Sequence, residues 1–140
     1  MTLIVDAGAL YAQADADDDA HNEVVRLLRA ERGPIVTTEL AIAEADYLIL
    51  DRLGIDVELE FLADLVEGTF AVECLSHADL ADARYLVQRY RDLRLGLADA
   101  SLVVLAGRHR TRRVLTFDQR AFRNVAPLQG GQFIVLPADD

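Results

Sequence analysis

Four carboxylates carry the chemistry open to this chain: Asp6, Glu44, Asp99 and Asp118. Asp6 closes the apolar run Leu3-Ile4-Val5, and Asp118 closes Val114-Leu115-Thr116-Phe117. Each therefore stands at the C-terminal end of a short β-branched strand, the edge of an open α/β sheet where ligands bind. Asp99 falls in the first turn of a helix and shares a face with Leu102, Val103 and Ala106. Glu44 shares a helix side with Leu40, Tyr47 and Leu48. Taken singly, Asp6 and Asp118 read as helix N-caps, and Asp99 as a carboxylate favoured by a helix dipole. Taken together, four carboxylates able to meet at one sheet edge suit a hard divalent cation, Mg²⁺ or Mn²⁺, which prefers oxygen ligands. Such a site supports phosphoryl chemistry without a histidine base. Glu39 competes with Glu44, but the dipole of its own helix start accounts for it.

The elements that must position these groups follow from periodicity. Strands are expected over Thr2–Asp6, Ile35–Val36, Phe70–Leu75, Val114–Phe117 and Phe133–Leu136. Helices are expected over Ala9–Ala14, His21–Glu31, from Thr37 or Thr38 towards Arg52, Val57–Val66, from Ser76 to about Asp92, Ala98 to about His109, and Gln119–Phe122. Ser76 and Asp79 form a capping-box pattern. Alternating strands and helices imply parallel crossovers, and hence a three-layer α/β/α sandwich around a mostly parallel sheet of four to five strands. The 140 residues fit one domain, 1–140, with no repeat and no linker.

Composition excludes several classes. All fourteen basic residues are arginine, so Schiff-base lysines, Walker A loops and lysine-dependent receiver domains are absent. The lone cysteine, Cys74, excludes an internal disulfide and reads as a small buried hydrophobe within Phe70–Leu75. His21, His77 and His109 fall at helix ends, where surface roles predominate. Met1 leads directly into a strand with neither a basic region nor a cleavage site, and no run approaches a membrane span, so a cytoplasmic protein is expected. A net charge of −10 disfavours nucleic acid, although a metal site would absorb part of it.

Leu3-Ile4-Val5-Asp6, the helix bearing Glu44, Leu95-Gly96-Leu97-Ala98-Asp99-Ala100 and Leu115-Thr116-Phe117-Asp118 together resemble the PIN-domain ribonucleases. More narrowly they are similar to the VapC-type toxins of bacterial toxin–antitoxin pairs, over nearly the whole chain. The resemblance implies Mg²⁺- or Mn²⁺-dependent hydrolysis of RNA phosphodiesters by a metal-activated water. It also implies a homodimer and inhibition by a VapB-type antitoxin. Asp6, Glu44, Asp99 and Asp118 match the acidic positions, and Thr116 a supporting hydroxyl. For RNA contacts the densest basic run is Arg108, Arg110, Arg112 and Arg113, with Arg84, Arg89, Arg91 and Arg94 beside Tyr85 and Tyr90 as a second stripe. The Leu- and Ile-rich helices between Glu39 and Val66 offer a surface for the antitoxin or a second subunit. The alternatives are a catalytically idle binding module, whose carboxylates only cap helices, and an aspartate-nucleophile phosphatase. The latter is weakened by Ala7-Gly8 after Asp6 and by the missing lysine.

Overall fold

The computed structural model describes residues 1–140. Along the chain run β1 (Leu3–Val5), α1 (Ala7–Ala14), α2 (His21–Ala30), β2 (Ile35–Thr38), α3 (Glu39–Leu53), α4 (Ile55–Val66) and β3 (Ala71–Glu73). Then follow α5 (His77–Arg89), a 3₁₀ turn over Arg91–Leu93, α6 (Leu97–Arg108), β4 (Arg113–Leu115), α7 (Gln119–Asn124) and β5 (Ile134–Leu136). The expected order of five strands and intervening helices is present, with ends shifted by a few residues. Helix α1 begins at Ala7 rather than Ala9 because Asp6 caps it directly, accepting from the Ala9 amide. Gly54, at φ 92°, lets the chain turn straight from α3 into α4, so α4 starts at Ile55. Beyond Arg89, Arg94 takes a left-handed conformation and ends the 3₁₀ turn short of α6.

Every strand pairing is parallel, in the order β3-β2-β1-β4-β5. The chain builds outward from β1 through β2 to β3, then returns to the other side of β1 for β4 and β5. The order therefore reverses between β1 and β4, and the crevice at such a switch opens beyond their carboxyl ends. Asp6 and Asp118 lie there, as expected. Helices cover both faces in the three-layer arrangement, which is why Leu3, Ile4 and Val5 are all buried without alternation.

Helix α6 runs through the interior, and every residue from Ala100 to Ala106 is buried. Its apolar stripe is thus not one face but the whole circumference. Asp99 is half-buried because it sits at the rim, in the first turn, rather than because of its face. Helix α3 corrects a second expectation. Its buried residues are Ala41, Ala45 and Ile49, a narrow line that allows close approach to its neighbours. Leu40, Glu44, Tyr47 and Leu48 lie off that line, and Glu44 is exposed. Cys74 is a third correction. The terminal strand β3 is shorter than expected and solvent-facing, so Cys74 is exposed and its thiol donates to Glu39 Oε1 at 2.9 Å.

Candidate metal centre

Three of the carboxylates are fixed by the ends of the elements that carry them. Asp6 Oδ1 accepts from the Ala9 amide at 2.9 Å, and Oδ2 accepts from the Thr116 hydroxyl. Thr116 in turn accepts from the Asp118 amide at 3.0 Å, and Asp118 Oδ1 from the Ala121 amide at 3.1 Å. A single hydroxyl therefore ties the end of β1 to the turn after β4. The N-cap reading of Asp6 and Asp118 is accurate as geometry, yet it leaves Asp6 only 4% exposed. Capping explains its hydrogen bonds and not its burial.

Asp99 is positioned by a second hydroxyl chain. The Ala41 amide donates to Thr38 Oγ1, which caps α3. Thr38 Oγ1 and Ser101 Oγ are 2.8 Å apart, and the Ser101 hydroxyl donates to the Ala98 carbonyl at 2.6 Å. With the Ser101 proton so engaged, Thr38 is the donor between the two. The link fixes the start of α3, which carries Glu44, against the first turn of α6, which carries Asp99. Both hydroxyls are wholly buried. Neither Thr38 nor Ser101 stood out in the sequence as part of the site. The only signal was a hydroxyl residue two positions from Asp99 in an otherwise apolar helix.

The four groups act on one another electrostatically. Burial pushes the Asp6 carboxyl up to about 7, against its hydrogen bonds to Thr116 and Ala9, with Asp99 and Asp118 adding repulsion. Burial also pushes Asp99 up to about 6, helped by Asp118 and Glu44 and opposed by Arg120. Glu44 thus acts on Asp99 despite its exposure, whereas Glu39 is turned to Cys74 at the sheet edge. Arg120, on α7, is the one cation that tempers Asp99; its type and position gave no warning of this in the sequence.

This donor set fits a hard divalent cation: all oxygen, four negative charges, and one opposing guanidinium at its margin. The centre is open rather than caged, and no three His, Cys, Asp or Glu side chains close on one point. The histidines stand apart from it. His21 Nδ1 lies 2.9 Å from the Ala12 carbonyl, and His109 Nε2 lies 2.5 Å from Glu73.

The Arg108–Arg113 run is placed away from the centre. Arg108 is at the far end of α6 from Asp99, about 14 Å along the helix at 1.5 Å per residue. It is paired with Glu73 and Asp79, and Arg113, at the start of β4, is paired with Glu31 at 2.7 Å.

A family model described as the PIN domain matches residues 3–128. Over 135 residues, 96% of this chain and 100% of the relative, the sequence is 38% identical to Ribonuclease VapC26 of Mycobacterium tuberculosis. Among solved structures, VapC20 of Mycobacterium tuberculosis, a sarcin–ricin loop cleaving toxin, matches with a TM-score of 0.78 at 18% identity, over 84% of this chain and 90% of that one. VapBC2 from Rickettsia felis, bound to a DNA fragment from its promoter, matches with a TM-score of 0.67 at 14% identity, over 96% and 97%. The matched span, the parallel sheet with its switch at β1 and β4, and the identity over nearly the full chain agree: this protein belongs to the PIN-domain family, as a VapC-type member.

Proposed function

We propose that the protein is a Mg²⁺- or Mn²⁺-dependent endoribonuclease that acts in the cytoplasm as the toxin of a VapBC pair. In this reading it is a homodimer and is held inactive by a VapB-type antitoxin. The observation that carries the reading is the gathering of carboxyls around Asp6 and Asp99 at the switch point, where burial and mutual repulsion hold both above the ordinary carboxylate range. A protein that only capped helices there would gain nothing from gathering them so. Likeness to Ribonuclease VapC26 over 96% of the chain supports the same conclusion.

Asp6, Asp99 and Glu44 are the residues that would hold the principal cation, with Asp118 holding a second or orienting water. A bound divalent cation supplies water of lowered pKa and neutralises charge on a phosphate. Thr116 is the positioning residue: its hydroxyl donates to Asp6 and keeps that carboxylate aimed out of β1. The Thr38–Ser101 link sets the separation of Glu44 from Asp99. Arg120 stands where a guanidinium can steady a phosphate oxygen beside Asp99.

The test is cleavage of total RNA by antitoxin-free protein with Mg²⁺ or Mn²⁺, with EDTA and Asp99→Asn alongside. Discrete products lost in both controls are expected. The open, uncaged disposition of the acidic side chains is the one observation favouring an idle binding module. Folded, inhibitor-free protein that leaves RNA intact with either metal would decide for that module.

A further inference from the structure

RNA approaching a chain of net charge −10 needs a route on which phosphate is not repelled. The charge is unevenly distributed. From Glu39 to Glu67, α3 and α4 carry nine carboxylates against one arginine, Arg52. Asp46 and Glu58 there face one another closely enough to raise Glu58 above the ordinary range. From Arg84 to Arg94 the balance is opposite: four arginines against Asp92 alone. Ion pairs engage Arg26, Arg108, Arg113 and Arg123, and none of the four in this segment.

All four of these arginines are exposed. Arg84 and Arg91, with Val87 and Gln88, line a shallow groove of about 330 Å³ on α5. Tyr85 beside it is 56% exposed. Arg89 lies over the Tyr90 ring, 5.5 Å from its centre. The Tyr90 hydroxyl accepts from the Ala126 amide at 3.1 Å, which pins the end of α5 to the segment following α7.

The helix that bears this groove ends beside the helix that bears Asp99. Helices α5 and α6 pack together and are joined only by Tyr90–Gly96, so the end of α5 lies beside the start of α6. That start carries Asp99, and Arg120 reaches the same carboxylate from α7.

We propose that the groove lined by Arg84 and Arg91, flanked by Arg89, Arg94 and Tyr85, is the track along which an RNA strand reaches the acidic centre. This inference rests on the ribonuclease reading and adds the direction of approach. The arginines hold successive phosphates, Tyr85 offers an exposed ring for a base, and Arg120 ends the track at Asp99. The acidic α3–α4 side repels the strand and so fixes its approach.

The test compares Arg84→Gln/Arg91→Gln with Arg29→Gln/Arg32→Gln. The second pair removes equal charge from exposed positions just before β2, at the opposite end of the sheet. Binding of a short, labelled mixed-sequence RNA is measured in an Asp99→Asn background with Mg²⁺ across a salt series. Cleavage of total RNA is measured without that background change. The groove pair is expected to weaken binding about tenfold at low salt and to flatten the log–log salt slope by about one. The distal pair is expected to shift affinity less than twofold.

Equal effects from both pairs would reduce the track to bulk charge and overturn the proposal. So would an unchanged affinity and slope for the groove pair. A changed oligomeric state with RNA affinity intact would assign the groove to protein contact instead. A parent that fails to hold the probe also sinks the track, and sinks the ribonuclease reading only if wild-type protein leaves total RNA uncut.

Discussion

Asp6 shows most directly how a single residue is made costly for a purpose. In the folded chain burial pushes its carboxyl up to about 7, from an ordinary 3.8. The folded state therefore keeps a proton that the unfolded state releases. The stability linked to this group is complete below about pH 4 and is lost as pH rises through about 7. Asp6→Asn, which keeps the shape without the charge, is expected to stabilise the EDTA-treated protein at pH 8 by up to about 4 kcal/mol. Near pH 4 the variant and wild type should coincide, and denaturation midpoints at the two pH values read this out. A wild-type midpoint at pH 8 equal to the variant's would mean that the burial is compensated. Asp99 carries the matching prediction for activity. Asp99→Asn should lower RNA cleavage by at least about 100-fold, a loss of roughly 2.7 kcal/mol in transition-state stabilisation, while the thermal midpoint holds or rises.

At the level of elements, the separation of α3 from α6 rests on two buried hydroxyls. Thr38→Val removes the α3 cap and strands the Ser101 acceptor, which together should cost about 1–2 kcal/mol in urea unfolding. Cleavage should fall further than stability alone predicts, because Glu44 moves with α3. The same helix separates the two glutamates. Glu44→Gln is expected to lower cleavage at least about tenfold with stability within about 0.5 kcal/mol, since the residue is exposed. Glu39→Gln, bonded to Cys74 at the sheet edge, should leave cleavage within about twofold. The reverse ranking would make Glu39 the ligand.

Across the whole molecule the two ends of the sheet divide the labour. Arg113, at the start of β4, lies at the end away from the acidic centre and is tied to Glu31, while Arg108 ties the last turn of α6 to Glu73 and Asp79. Arg113→Gln is expected to cost about 0.5–1 kcal/mol, discounted for its partial exposure, and to leave the KM for RNA unchanged. A rise in KM would return that run to the RNA surface. The basic α5 groove and the acidic α3–α4 side lie on the molecule as a charge gradient, so salt should act on substrate capture far more than on the fold.

How much of this was legible beforehand depends on the kind of pattern each feature leaves. Asp6 and Asp118 could be read because a carboxylate closing a β-branched run is a local signature, and alternating elements allow few sheet topologies. Composition alone determined that no lysine chemistry is available. The exposure of Glu44 and Cys74 was not readable, because a helix with several apolar lines does not declare which one faces inward, and an edge strand looks like a central one. Pairing decided part of the arginine question: Arg108 and Arg113 of the denser run are engaged by carboxylates distant in sequence, while Arg110 and Arg112 and the whole of the sparser stripe are left without ion pairs. Arg120 and the Thr38–Ser101 link belong to the same class. Local order fixed which residues could do chemistry, and the long-range packing of α3, α5 and α7 around α6 decided which of them meet, since distance and burial are properties of the folded chain and not of spacing along it.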